Sequence, residues 1–372
     1  MILGIDASRN RSGGAIAYLQ GILKVYSESD NDITQIHIWA YDRLLDQLPN
    51  THKIIKHKSK YFEKSILHQL FWQFFILKNE IKKFKCDILF NTDAGTVSRH
   101  TPCITLSQDM LSYEKGEMNR FGFGLGRLRL ILLLFFQNRS FKNSNGVIFL
   151  TKYASEIIQK HTGELKNIKI IPHAVNQIFF NNKNNNYKKF NLNSKIKCIY
   201  ISAVLPYKHQ SNVLYSIVKL RSYGFNVTID FIGGGPQKLY NKLQKLIDKI
   251  DPNRKFTKLL PFVDNDDLPS LITSSDIFIF ASSCENMPIT LMEGMASRIP
   301  IASSNRGPMF EVLQDGGVYF NPESVDSITD SIKLIILDNS LREEIVLWIL
   351  LIHKYLSMRM DYVNIVIIIS LI

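Results

Sequence analysis

Short apolar runs alternate with segments of helical period along the first half of the chain. Strand-like runs occupy residues 2–5, 36–40, 87–90, 102–106 and 146–150. Between them, residues 63–83 repeat apolar positions every three or four residues, which predicts a helix, and residues 126–137 predict another. Strands and helices that alternate in this way are typical of a parallel sheet covered by helices on both faces.

The same alternation restarts after a polar segment. Residues 179–195 include a run of asparagines with almost nothing to bury, which predicts a linker. Further strands are predicted at residues 198–201, 227–232, 276–280 and 299–302, and helices at residues 212–223, 239–250 and 289–296. We therefore expect an α/β protein of two doubly wound, Rossmann-like domains, residues 1–178 and 196–344. The two domains would face each other across a cleft, with ligands at the carboxyl ends of the strands.

The composition describes a folded chain with two unlike halves. A length of 372 residues favours two domains, and 45% hydrophobic against 21% charged residues excludes a mostly disordered protein. No apolar run reaches the roughly 18–20 residues that span a bilayer, which excludes a polytopic membrane protein. Residues 1–200 carry a net charge of +14 and residues 201–372 a net charge of −2. The first domain is therefore expected to meet an anionic partner: nucleic acid, lipid or a phosphorylated substrate.

The N terminus and the cysteines predict a cytoplasmic protein. The first six residues lack the basic start and apolar stretch of a secretory signal. Cys86, Cys103, Cys198 and Cys284 are widely scattered, which fits buried thiols in a reducing compartment. A peripheral location on the inner face of the plasma membrane is compatible with this prediction.

Two glutamates eight positions apart, Glu285 and Glu293, carry the strongest chemical signal. Backbone N–H groups around residues 287–290 would open a helix whose dipole favours a diphosphate. Glu293 on that helix could accept hydrogen bonds from a ribose, and Glu285 before it could bond the hydroxyls of a transferred sugar. Taken alone, two glutamates at this spacing are more often solvated surface.

Their context resembles the family 4 glycosyltransferases, which are retaining enzymes of the GT-B fold. The family's Glu-x7-Glu motif matches Glu285 and Glu293, and the resemblance runs to about residue 345. The segments at residues 108–111 and 207–210 are similar to those of a bacterial branch that builds surface polysaccharides, lipopolysaccharide included, and contains mannosyltransferases.

The resemblance implies a set of site residues. Glu285 and Lys208 would be catalytic; Glu293, Lys208, Met287, Pro288, Ile289 and Thr290 would bind the donor; Gly13, Gly14, Asp109 and His173 would face phosphate or the acceptor. No metal and no cofactor are expected, the donor being a GDP- or UDP-sugar. A tight strand-to-helix turn for the glycines and a packed side chain for His173 are the simpler interpretations.

Several positions depart from the family pattern. Ala203 stands where many members have an arginine, Gln108 replaces a histidine, and Phe310 replaces a proline. Arg298 occupies a turn where the family has glycine, so a positive φ there would cost roughly 1 kcal/mol. Residues 345–372 form an atypical apolar tail in place of an amphipathic crossover helix, which suggests a changed reading frame near Glu344.

These observations together predict a glycosyltransferase. It would move a hexose, mannose being one candidate, from a nucleotide-diphosphate sugar to a glycan or lipid-linked acceptor in cell-surface polysaccharide synthesis. A catalytically impaired relic with a frame-altered C terminus is the alternative. A nucleic-acid-binding protein ranks last, because the chain has no helix-turn-helix, zinc or RNA-binding signature. The basic segments at residues 53–64 and 78–85 are either solvated faces or contacts with an anionic membrane.

Overall fold

The computed structural model describes residues 1–11, 13–28, 33–180, 189–191 and 193–358. The chain divides into two compact units, Met1–Ala174 and Val175–Met358. Of the predicted linker, residues 181–188 and 192 lie outside the described residues. Its first two residues, Phe179 and Phe180, are buried in a 3-10 turn, so they act as core side chains of the second unit.

The described part of the first unit contains one seven-stranded parallel sheet. Its strands are β1 Ile2–Asp6, β2 Gln35–Trp39, β3 Ile54–His57, β4 Ile88–Asn91, β5 Cys103–Leu106, β6 Gly146–Phe149 and β7 Ile168–Ile170. Across the sheet they lie in the order β3-β2-β1-β4-β5-β6-β7. Strands β4, β5 and β6 are buried along their whole length, which is why they appear in the sequence as continuous apolar runs.

Six helices accompany this sheet in the described residues. They are α1 Gly13–Glu28, α2 Asp42–Gln47, α3 Ile66–Phe71, α4 Leu77–Lys83, α5 Leu125–Asn143 and α6 Lys152–Thr162. The single helix predicted for residues 63–83 is formed by α3, a π-helical turn Trp72–Ile76 and α4 in succession. The π turn adds one residue to the helical turn, which changes the face that later residues present.

The described part of the second unit contains a six-stranded parallel sheet. Its strands are β8 Ile196–Ile201, β9 Val227–Ile232, β10 Thr257–Leu260, β11 Ile277–Phe280, β12 Ile301–Ser304 and β13 Val318–Phe320, in the order β10-β9-β8-β11-β12-β13. Its helices are α7 Gln210–Ser222, α8 Gln237–Ile250, α9 Leu268–Thr273, α10 Ile289–Ala296, α11 Met309–Leu313, α12 Val325–Leu337 and α13 Asn339–Met358. The predicted class, two doubly wound α/β domains, is confirmed.

The four strands that the sequence pattern did not predict, β3, β7, β10 and β13, are the outermost strands of the two sheets. Each is three or four residues long and partly exposed. A strand with only one neighbour is wetted along its free edge, so it needs no continuous apolar run.

The segment predicted as an atypical tail begins inside α13. Ile345, Val346 and Ile349 are buried, and the helix is continuous from Asn339. Residues 359–372 lie outside the described residues, so a changed reading frame stays a prediction. Within the described ranges, no helix combines the length and apolar character that crossing a bilayer requires.

Arg342 ties α13 to the end of α12. Its side chain is fully buried, and its guanidinium donates to the carbonyl oxygens of Ile335, of Ile336 at 2.9 Å and of Asp338 at 3.3 Å. These carbonyls belong to the last turn of α12 and have no partner within their own helix. The cation therefore caps α12 from the neighbouring helix.

Replacing Arg342 with leucine should destabilise the second unit by roughly 3 kcal/mol, because buried carbonyl oxygens would be left without donors. Arg306→Leu is the matched control, since Arg306 is half exposed in its ion pair with Glu323 and should cost less than about 1 kcal/mol. Urea denaturation followed by circular dichroism measures both. Equal losses in the two variants would contradict the capping role.

Candidate functional site

The loops after β8 and β11 meet at the carboxyl edge of the second sheet. β8 pairs with β9 on one side and with β11 on the other, so the strand order reverses here, which is where open α/β sheets bind ligands. Ser283 N–H donates to the Tyr207 carbonyl oxygen at 2.9 Å, and the Ser283 hydroxyl lies 2.9 Å from His209 Nε2. These bonds hold the two loops together.

Lys208 and Glu285 form an ion pair between those loops. Lys208 ends the 3-10 turn Pro206–Lys208, and its carbonyl oxygen accepts the Tyr200 hydroxyl at 2.6 Å. Its Nζ contacts Glu285 Oε1 and lies 5.6 Å from the centre of the Phe280 ring. Both charged side chains are mostly buried, so their charges are little screened by water. The structure thus joins two predicted site residues that lie 77 positions apart.

Glu293 is a buried carboxyl group on α10. Its Oε2 is buried and has no hydrogen-bond partner among the described residues. Burial raises the pKa of Glu293 from 4.5 to about 8. An unpaired buried carboxyl group is costly, and this one lies beside the loop of Glu285, where a ligand could supply the missing donors.

Close packing of α10 on β11 explains the burial of Glu293. A Cβ atom on Gly294 would lie 3.0 Å from carbon atoms of the Phe278 ring, so a larger residue would push the helix away from the strand. Leu291, Met292 and Met295 are buried beside it. This apolar environment is what disfavours the charged carboxylate.

The start of α10 differs in one respect from the predicted diphosphate cradle. Ile289 N–H donates to the Met287 carbonyl oxygen at 3.1 Å, so it is already engaged. Pro288 is the N-terminal cap and has no N–H to offer. Of the predicted segment, only Thr290 therefore keeps a first-turn N–H as a candidate donor.

Glycines allow the neighbouring loops to approach. Gly307, beside the backbone of Glu285, has a φ of 59°, a left-handed conformation that favours glycine. A Cβ atom on Gly233 would lie 2.3 Å from the Ser202 carbonyl oxygen, so this glycine serves the packing of the loops after β8 and β9. Arg298 adopts a φ of 59° at the turn after α10, as expected for a family glycine position.

In the first unit, Gly13 and Gly14 open α1 and do not form an extended loop. One helical turn later, the Tyr18 ring packs edge-on against the His173 ring, with 4.6 Å between ring centres. Burial lowers the pKa of His173 to about 3, so the ring is neutral at physiological pH. His173, far from the glycine pair in sequence, therefore packs on the helix that the glycines open.

An ion pair and a buried aspartate that the sequence did not suggest lie at the carboxyl ends of β1 and β4, in the same unit as the predicted Asp109. Arg9 pairs with Asp93 at 3.4 Å, and the buried Asp6 accepts a 2.7 Å hydrogen bond from Gln73. Burial raises the pKa of Asp109 above its usual range, and the charge of Asp93 raises it further. Of these residues, Asp109 was predicted through the family resemblance. For the others the only sequence signal is that Asp6 directly follows the predicted strand at residues 2–5, because Gln73 comes from the π turn.

Residues 182–346 match the family model of glycosyl transferases group 1. This span covers most of the second unit and less than half of the whole chain. The crystal structure of Anabaena HepE in complex with UDP-glucose superposes with a TM-score of 0.72 at 17% identity, covering 100% of this chain and 98% of that chain. The fold of the whole chain is therefore GT-B.

Two curated relatives have more specific names. Protein CapJ of Staphylococcus aureus is 26% identical over 223 residues, which cover 60% of this chain and 54% of that protein. The O-antigen chain mannosyltransferase B of Escherichia coli is 31% identical over 86 residues, which cover 23% of each chain. The chain thus spans about half, or less, of the length of these relatives.

The pH dependence of stability should carry the signature of Glu293. Between pH 4.5 and 8 the folded chain keeps a proton on this carboxyl group that the unfolded chain has lost, so stability should fall as pH rises through this window. Glu293→Gln removes this titration. The variant should therefore not show the decrease in the free energy of unfolding, on the order of 3–5 kcal/mol by pH 8, that is expected of the wild-type chain. Thermal melts from pH 5 to 8.5 measure the difference.

Glu343→Gln, at an exposed position on α13, is the control and should leave the slope unchanged. If the stability of Glu293→Gln depends on pH as steeply as that of the wild-type chain, this carboxyl group is ionised in the folded protein.

Proposed function

We propose that this chain transfers a sugar from a nucleotide-diphosphate sugar to a hydroxyl of a glycan or lipid-linked acceptor, with retention of the anomeric configuration. The observation that carries the proposal is the buried Glu293 carboxyl group, whose Oε2 lacks a partner among the described residues at the switch point of the unit that matches the group 1 glycosyltransferase family model. The two ribose hydroxyls of a nucleotide are the donors that such an acceptor needs.

The Lys208–Glu285 pair gives this site its polarity. Lys208 offers a cation that can move to the diphosphate while Glu285 accepts hydroxyls of the transferred sugar. The dipole of α10 adds positive potential at its first turn. Negative charge that develops on the leaving diphosphate is stabilised by these fixed groups, without a metal ion or a further cofactor.

The reaction then needs few groups. The bond between the anomeric carbon and the β-phosphate oxygen breaks, and the acceptor oxygen bonds to the same face of that carbon. The proton of the acceptor hydroxyl passes to the departing diphosphate. Arg9, Asp93 and Asp109 at the edge of the first sheet, with Gly14 and His173 near Tyr18, are the candidates for the acceptor side.

The names of the relatives support a surface polysaccharide as the product. One relative is an O-antigen chain mannosyltransferase, and HepE was crystallised with UDP-glucose. GDP-mannose and UDP-hexoses are therefore the first donors to test, with a cytoplasmic, peripheral location for the reaction.

Nucleotide binding should depend on Glu293 and Lys208 in different ways. Glu293→Ala should weaken the binding of UDP or GDP and of the corresponding monophosphate equally, by at least about tenfold, because both contain the ribose. Lys208→Ala should weaken the binding of the nucleoside diphosphate alone, by about tenfold or more, since it removes the cation at the β-phosphate. Isothermal titration measures each affinity.

Lys219→Ala serves as the control. Lys219 lies near the C-terminal end of α7 and pairs with the exposed Asp326 of α12, so its replacement should not alter nucleotide binding. Equal losses for monophosphate and diphosphate in Lys208→Ala would remove this lysine from the diphosphate site. A cooperatively melting wild-type chain that binds no nucleotide would favour the catalytically impaired alternative.

The stereochemistry of the product can be read directly. With the donor found by titration, proton NMR of the new glycosidic linkage should show the same anomeric configuration as the donor sugar. Glu285→Gln should lower kcat by at least about tenfold, because it weakens contacts to the transferred sugar. An inverted linkage would contradict the retaining mechanism.

A further inference from the structure

One helical face of the first unit is apolar in its centre and basic at its ends. On α3 and the π turn, Leu67, Phe71 and Phe75 point outward, and Leu67 is 72% exposed. Two exposed lysines flank this segment in the sequence, Lys64 just before α3 and Lys78 in the first turn of α4. A helix on the surface of a globular protein normally places its polar residues on this outer face.

A second outward face on α5 has the same character. Leu125, Leu128, Leu132 and Phe135 recur every three or four residues, and all are exposed, Leu125 at 85% and Phe135 at 63%. Phe123, just before the helix, is completely exposed. Together these side chains form an apolar surface larger than the isolated exposed residues that monomeric proteins tolerate.

The two helices flank one loop, the one that follows β4. The Arg99 guanidinium lies 4.3 Å from the centre of the Phe74 ring of the π turn. At the other end of the loop, a Cβ atom on Gly95 would lie 2.7 Å from Leu133 Cδ1 of α5. The helix α3, the π turn and α5 therefore border the same loop of the first unit, and their outward faces are together called here the apolar–basic face.

The segments that form this face carry charges of a single sign, although Arg129 is near enough to Asp109 to lower the pKa of that carboxyl group. Residues 64–78 and 122–142 contain no Asp or Glu, whereas Arg127, Arg129, Arg139 and Lys142 lie on or beside α5. Arg127 lies 4.9 Å from the centre of the exposed Phe123 ring. Exposed phenylalanine and leucine ringed by cations is the composition of helices that lie in the interface of an anionic bilayer.

We propose that the apolar–basic face docks the protein on an anionic lipid surface. Leu132, Phe135 and Phe75 enter the boundary between headgroups and acyl chains, while Lys64, Lys78, Arg129 and Lys142 contact lipid phosphates. Pairing of this face with a second copy of itself is disfavoured, because a two-fold axis would oppose like charges. The docking does not depend on the proposed transferase reaction, since the residues are distinct from those of the nucleotide site.

Vesicle sedimentation tests the docking with the full chain. At about 0.1 M salt the protein should pellet with vesicles of phosphatidylcholine containing about 30% phosphatidylglycerol, and at least about tenfold less with phosphatidylcholine alone. About 0.5 M salt should weaken binding, because it screens the lysines and arginines. Equal binding to both kinds of vesicle, or to neither, would overturn the proposal.

Two sets of variants separate the apolar and basic contributions. Leu132→Ser with Phe135→Ser should lower the partition coefficient by at least about tenfold, since both side chains are already exposed and the fold does not need them. Arg129→Gln with Lys142→Gln should lower it by about fivefold for each charge. The matched controls lie in the second unit, Phe262→Ser for the first pair and Lys242→Gln with Lys245→Gln for the second.

Thermal melts verify that each variant is folded, and sedimentation velocity of the lipid-free protein supplies the competing outcome. Controls that lose as much binding as the test variants would overturn the proposal. So would a wild-type dimer that Leu132→Ser with Phe135→Ser converts to a monomer, because the occupant of the face would then be a second copy.

Discussion

The parallel pairing of β8 with β11 is the constraint on which the second unit depends. Because parallel strands end at the same edge, the loops after these two strands must meet, although they are 77 residues apart in sequence. The bond from Ser283 N–H to the Tyr207 carbonyl oxygen fixes that meeting, and the Lys208–Glu285 pair forms beside it. Site geometry is thus a consequence of sheet topology, and the loops need only supply the charged side chains.

Burial of Glu293 lowers stability at the position where we propose that the nucleotide binds. The close approach of α10 to β11 at Gly294 gives the domain a tight apolar contact, and the same contact removes water from the neighbouring carboxyl group. A glutamine at this position would remove the cost of burying an unpaired acid. Replacing strained or desolvated groups at binding sites often stabilises a protein in this way. A ligand that donates hydroxyls would restore the ionised form, so binding and proton release are coupled.

The pattern of apolar residues was sufficient to predict the buried strands of each sheet. Central strands such as β4 and β11 are covered on both faces, so they appear as uninterrupted apolar runs, whereas the partly exposed edge strands β3, β7, β10 and β13 do not. The same limit applies to the site. Glu285 and Glu293 were predicted from the spacing of a motif and Lys208 from the family resemblance. The Arg9–Asp93 pair depends on a tertiary contact and the bond from Ile289 N–H to the Met287 carbonyl oxygen on local backbone geometry, and spacing encodes neither.

A crystal structure of the chain with UDP or GDP, whichever binds, tests the central claim most directly. The claim is that Glu293 is buried and unpaired because it awaits the ribose of a nucleotide. The account predicts both ribose hydroxyls within about 3.2 Å of the Glu293 carboxylate oxygens, with the β-phosphate at the first turn of α10 and at Lys208. A nucleotide bound elsewhere, with the Glu293 carboxyl group still unpaired, would contradict it.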